Sequence, residues 1–217
     1  MRDDLISGGT KRCFVDRLIA GKEEVVYASP VYGGAQIAVA HAAREAGVRS
    51  TIFCAKRKQL HPRTAEAEAA GAKIVEVPYG YLSNVQSKAR KYCEETGATM
   101  LPFGLECEEA FEHIAARAHQ VQRIVGRIDE VWCVGGSGVL ARAIRRGIEA
   151  ERYNVVRIGR ELTIEDDRTT LWQHPLKFEQ DARIIPPFPS CSNYDAKCWE
   201  FIKKHGNGSI LFWNVMA

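Results

Sequence analysis

The residues best placed to do chemistry sit at glycine-rich junctions. Gly135-Gly136-Ser137-Gly138 follows the apolar run Val131-Trp132-Cys133-Val134 and precedes a helical pattern from Val139 to Glu149. Glycines let backbone N–H groups converge, and a helix N-terminus adds positive potential. Together they form a cup suited to an anion such as phosphate. The plain alternative is a tight strand-to-helix turn with no ligand. No Gly-Lys-Ser/Thr follows, so this is not a Walker loop. It is also a poor dinucleotide fingerprint, lying late in the chain with no acid at the end of a well-placed next strand. A second junction is Ser7-Gly8-Gly9-Thr10-Lys11-Arg12, followed by Phe14, Val15, Leu18 and Ile19. It reads as a Gly-rich turn opening a short helix, with Lys11 in the first turn. Helix N-termini disfavour cations, so a lysine there holds its proton less tightly and suits a Schiff-base nucleophile. The alternative is a solvated surface lysine.

Two more loops qualify. Ser29-Pro30-Val31-Tyr32-Gly33-Gly34-Ala35-Gln36 follows the first strand-like run, and the Pro-rich stretch from Pro187 to Lys197 carries Ser192, Asn193 and Tyr194 at the start of the last helix. Either could line a ligand or simply turn the chain. Arg12, Arg17 and Arg142 are candidates for a carboxylate or phosphate contact, against the ordinary reading of a surface arginine. The six histidines form no pattern, no G-x-S-x-G elbow occurs, and no local Ser/His/Asp signature is present. Seven cysteines at irregular spacing, with no CxxC, speak against zinc and a disulfide framework and for a reduced, cytoplasmic protein.

The elements that must position these loops alternate between strand and helix patterns. Strands are expected at 25–28, 51–54, 73–77, 99–103, 131–134, 155–158 and 209–213. Helices are expected at 34–45, 62–70, 83–96, 106–125, 139–149 and near 194–204, several closed by Gly. Such alternation implies parallel sheets with helices on both faces, with ligands at the carboxyl ends of the strands. The polar stretch 159–180, with Glu161, Glu165, Asp166 and Asp167, reads as a long loop or irregular insertion. Trp132 and the other aromatics are expected to serve the core.

The 217 residues are 46% hydrophobic and 26% charged, with a net charge of +3. That composition excludes disordered and low-complexity classes. It also argues against a dedicated basic nucleic-acid platform, leaving a local patch open. No apolar run reaches membrane-span length, and the N-terminus lacks the apolar core of a signal peptide.

In their order, the four loops resemble those of fold-type II pyridoxal-phosphate enzymes, the tryptophan synthase beta-subunit-like superfamily. The similarity is to the 1-aminocyclopropane-1-carboxylate (ACC) deaminase and D-cysteine desulfhydrase branch, in a shortened form. Gly8-Gly9-Thr10-Lys11-Arg12 is similar to that branch's Gly-Gly-Asn-Lys-x-Arg segment, Ala70-Gly71-Ala72 to its helix-ending Gly-Ala, and Tyr194-Asp195-Ala196-Lys197 to its Tyr-x-x-Lys helix start. The resemblance implies an α/β fold of one compact unit, with a small lobe at 25–110 and a larger lobe from 1–24 and 111–217 around a cofactor cleft. It implies pyridoxal 5'-phosphate held as an internal aldimine by Lys11, with its phosphate on Gly135, Gly136, Ser137 and Gly138. Tyr194 is then catalytic, Tyr32, Gly33 and Gly34 lie by the cofactor, and Ser29, Arg12, Ser192 and Asn193 are on the substrate side. The implied reaction is elimination, deamination or decarboxylation of an amino acid or of an amino-acid-like group on a larger molecule, by a homodimer. The chain departs from the pattern at Tyr32-Gly33-Gly34, where an Asn is usual, at Thr10, and at Val139. Two rival readings are a phosphoribosyl- or nucleotide-binding enzyme using the 135–138 loop, and a non-catalytic binding protein retaining the fold. The first is weakened because the acid pair Asp129-Glu130 precedes its strand rather than following it.

Overall fold

The computed structural model describes every residue except Tyr79, Arg160 and Glu165. The chain divides into two compact units, Ser7–Cys107 and a second built from Met1–Ile6 with Glu108–Ala217. Residues 7–24 therefore group with the first unit, not with the C-terminal half as the sequence suggested. The reason is packing: helix α1 (Arg12–Ile19) buries Phe14, Val15 and Ile19 and runs against helix α2 (Ala35–Ala46).

The first unit continues with β1 (Glu24–Ala28), β2 (Arg49–Ala55), α3 (Pro62–Ala69), β3 (Lys73–Val77), α4 (Leu82–Thr96) and β4 (Thr99–Met100). Its four strands are all parallel, in the order β3-β2-β1-β4. β1 is buried along its whole length, as a central strand covered on both faces must be. Eight residues of Ala-rich α2 are buried. The strand expected to reach residue 103 stops at Met100, and a 3-10 turn follows at Phe103–Leu105. The core centres on Val26, Ala28, Phe53, Val77, Val85 and Ala89.

The second unit comprises α5 (Glu108–Val125), β5 (Ile128–Gly135), α6 (Val139–Gly147), β6 (Ala150–Arg157), β7 (Thr169–Gln173), α7 (Ala196–His205) and β8 (Ile210–Phe212). Its strands run parallel in the order β7-β6-β5-β8. Two expectations need correction. The stretch 159–180 holds a true strand, β7, which pairs with β6 from Tyr153↔Thr169 to Arg157↔Gln173. Asp129 and Glu130 lie inside β5 rather than before it. Of the acids expected in the insertion, Glu165 lies outside the described residues. The core is aromatic: Trp132, Val134, Val156, Ile158, Cys198 and Ile202, with Trp172, Trp199 and Phe201 against them. Trp132 and Trp172 stack at 6.0 Å. The first residues join this unit directly. Asp3 N–H donates to the Asn214 carbonyl at 3.1 Å, and the fully buried Asp3 carboxylate accepts from Arg117 at 2.7 Å and the Trp213 indole at 3.1 Å.

Candidate active site

In the first unit the lysine turn is fixed by close backbone approach. Gly8 has φ of 85°, and a Cβ there would lie 2.5 Å from the Cα of Ala38 in α2. Only glycine fits both the conformation and the space. Gly9–Lys11 forms a 3-10 turn, with Thr10 buried and Lys11 half-buried. Lys11 is thus the residue just before α1, not part of its first turn.

The loop after β1 is held shut by its own side chains. Ser29 N–H donates to the Phe53 carbonyl at 2.8 Å, and Gly33 N–H to that of Pro30 at 2.8 Å. The Ser29 hydroxyl donates to the Pro30 carbonyl at 2.9 Å. Gln36, fully buried in α2, gives its amide N–H groups to the carbonyls of Val31 (3.2 Å) and Gly33 (2.9 Å). Tyr32 meets His61 edge-on at 4.7 Å, and its carbonyl accepts from Arg63. Gly34 caps α2. Gln36 closed the loop singled out from sequence but had no role there; the structure makes it the brace of that loop. Arg12 is committed within its unit, paired with Asp16 at 2.6 Å and with Glu45.

In the second unit Gly135–Gly138 links β5 to α6. A Cβ on Gly135 would meet Leu162 at 2.6 Å and Val155 at 2.8 Å, and Gly138 has φ of 85° with Leu162 against it. Among the described residues, the backbone N–H groups of Ser137 and Gly138 donate to no acceptor. Unpaired amides at the mouth of a helix, in a cradle where three of four residues are glycine, fit a phosphate group. The structure brings Tyr194 to this loop. A Cβ on Gly136 would lie 3.1 Å from the Tyr194 hydroxyl, so the phenol sits directly against the loop. Burial first, and then the charges of Asp195 and Cys133, hold the Tyr194 phenol well above its ordinary pKa, so it stays neutral. Ser192 and Asn193 are directed elsewhere: the Ser192 hydroxyl donates to Asp181 at 2.6 Å and the Asn193 amide to the Phe178 carbonyl at 3.0 Å. They brace the segment that lays Phe178 edge-on to the Tyr194 ring, at 5.9 Å.

The acid pair that a ribose reader would need is structural. Asp129 accepts from Arg127 at 2.9 Å and from Ser209 N–H at 2.8 Å. Glu130, 1% exposed, accepts from Trp132 at 2.7 Å and from Arg152 at 2.6 Å. Lys197, marked from sequence only as the end of the Tyr194-Asp195-Ala196-Lys197 helix start, is fully buried in the first turn of α7 and donates to the Lys177 carbonyl at 2.6 Å. Burial lowers its pKa.

The chain thus joins parallel α/β sheets to a lysine turn and to a glycine loop whose open amides suit an anion. The family profile described as pyridoxal-phosphate dependent enzyme matches residues 12–207. The chain belongs to this family, whose cofactor is pyridoxal phosphate. No curated protein sequence matches. Among solved structures, the fold is similar to that of an ACC deaminase homologue (TM-score 0.81, 15% identity, covering 99% of this chain and 82% of that one). It is also similar to a threonine deaminase of T.th. (TM-score 0.72, 14% identity, 99% and 85%) and to an O-ureido-L-serine synthase (TM-score 0.71, 14% identity, 99% and 80%). At such identities the likeness speaks for the fold. Among the described residues no helix is long and apolar enough to cross a membrane.

Proposed function

We propose that this protein is a pyridoxal-phosphate-dependent enzyme of the ACC deaminase and D-cysteine desulfhydrase type. Its reaction is elimination, deamination or decarboxylation at the amino-bearing carbon of an amino acid or amino-acid-like group, or at the neighbouring carbon. The observation that carries this reading is the Gly135–Gly138 loop, with open amides at Ser137 and Gly138 beside a neutral Tyr194 hydroxyl. When bound, the cofactor supplies an electron sink for the carbanion at the substrate carbon.

The remaining work belongs to the chain. Lys11, presented by a turn that Gly8 locks against α2, is the amine that would hold the cofactor and, once free, would carry a proton to or from the substrate carbon. The glycine loop grips the phosphate through backbone N–H groups. Tyr194, kept protonated by burial, donates or accepts one hydrogen bond without bringing charge. Ser29, Tyr32, Gly33 and Gly34 form a loop already braced by Gln36, so its shape is set before ligand arrives.

Purified protein mixed with pyridoxal phosphate is expected to develop a visible absorbance band that borohydride locks onto Lys11, identified by peptide mass. Lys11→Ala is expected to abolish both the band and the locked adduct. A protein that gains no band overturns the cofactor reading, and a band that survives Lys11→Ala overturns the lysine assignment.

A further inference from the structure

The chain from Gly138 to Arg160 carries six arginines against two glutamates. Three are matched by carboxylates: Arg145 with Asp166 at 2.6 Å, Arg146 with Glu108 at 2.5 Å, and Arg152 with Glu130 at 2.6 Å. Arg157 is different. Its Nη1 donates to the Leu162 carbonyl at 3.3 Å. Its Nε is buried with no acceptor. Among the described residues no carboxylate pairs with it and nothing accepts from Nη2. The unused edge, Nε with Nη2, is the fork that takes two oxygens of a phosphate or carboxylate side by side. Leaving such a donor buried without a partner is destabilising, so the site is built to receive an acceptor.

Its position gives the empty fork a meaning. Arg157 is the last residue of β6, at the carboxyl end of the sheet where ligands of parallel sheets bind. It is the register partner of Gly135, so the two side-chain positions share one face. Leu162, whose carbonyl orients the guanidinium, packs against both Gly135 and Gly138. One residue therefore fixes Arg157 and seats against the glycine loop.

We infer that Arg157 is an oxyanion-binding residue that completes the Gly135–Gly138 anion site from the neighbouring strand. The ligand chemistry is a phosphate ester or carboxylate, and the assignment of its source rests on the cofactor reading above. Nη1 stays on the Leu162 carbonyl while Nε and Nη2 donate to the anion.

The test uses the full chain, with Arg157→Lys, which keeps the charge but not the fork, and Arg157→Met, both checked by thermal melting. The probes are inorganic phosphate, pyridoxal phosphate and pyridoxal, by calorimetry and absorbance. Alanine and serine are titrated against ethylamine and ethanolamine. Loss of affinity for inorganic phosphate and pyridoxal phosphate by about tenfold to a hundredfold in a folded Arg157→Lys, with pyridoxal unaffected, assigns the fork to the cofactor phosphate. A loss confined to the amino acids, with their amines unchanged, assigns it to a substrate carboxylate. Affinities unchanged for every probe overturn the inference. Wild-type protein that binds phosphate through Arg157 yet develops no band keeps the anion site and overturns only the cofactor reading.

Discussion

The two sheets are built on one plan and finished differently. Counted from its own first strand, each has the order 3-2-1-4 with every strand parallel. In the first unit a helix covers each crossover: α2, α3 and α4. In the second, α6 covers the first crossover and α7 the last, but the described residues between β6 and β7 form no helix. That bare crossover carries Leu162 against the glycine loop. The loops after the two leading strands differ in the same sense. After β1, side chains and turns satisfy the backbone. After β5, the Ser137 and Gly138 amides are left open. The contrast teaches that a shared strand order fixes where loops emerge, while ligand capacity depends on which backbone groups the local sequence leaves unsatisfied.

Both units also dock a backbone on a helix through one glycine, and that likeness can be broken. Gly147→Ala would press a methyl into the Ala115 carbonyl of α5, and Gly8→Ala would press one into Ala38 while straining a positive φ. Helix backbone cannot yield cheaply, so each is expected to cost about 3–4 kcal/mol in urea denaturation, with Gly8→Ala also weakening the lysine-bound band. A loss under about 1 kcal/mol at either site would refute the close packing.

A smaller effect separates the two cores. Glu130 anchors the aromatic unit through Trp132, Arg152 and the Asn207 N–H. Glu130→Ala strands the buried indole N–H, while the half-exposed Arg152 turns to water. The expected cost is about 2–3 kcal/mol, seen as a lower melting temperature with altered tryptophan fluorescence.

The smallest effect is alkaline and has opposite signs in the two units. Burial raises the Tyr27 phenol to about 12. The unfolded chain ionises it from pH 10, so its contribution is full below pH 10 and is lost as pH rises toward 12. Burial lowers Lys197 from 10.5, so its penalty is full below the lowered value and is relieved as pH climbs to 10.5. Between pH 8 and 11, Tyr27→Phe should remove a loss of about 1 kcal/mol, and Lys197→Met should remove a gain. Denaturation midpoints at the two pH values check both signs.

Much of this was legible because glycine and alternation are local signals. β1, α2, β3 and α4 fall within a residue or two of where apolar runs and closing glycines place them. β7 was hidden because Thr169-Thr170-Leu171-Trp172-Gln173 is a half-buried edge strand in polar surroundings, without a buried strand's apolar run. The glycine loop was legible by composition. Its partnership with Tyr194 was indicated only by resemblance, because the two are brought together by folding. Arg157 was not legible, since an arginine ending a strand looks like any surface cation until its neighbours are counted. Arg12, Ser192 and Asn193 looked available for the matching reason: their acceptors lie far off in sequence or on another turn.

The second unit is interrupted, with residues 7–107 lying between its first six residues and the rest. Asp3 and Trp213 are 210 positions apart, yet their contact helps to fill one core. The opening segment therefore cannot settle until β8 and the Trp213-Asn214 segment, which bridges to Arg2, exist to receive it. Closing so long a loop costs little more than closing a short one, because loop entropy grows only with the logarithm of length. The burden falls on time: the first unit can form early from local contacts, whereas the unit holding the Gly135–Gly138 loop waits for its most distant pairing before it is whole.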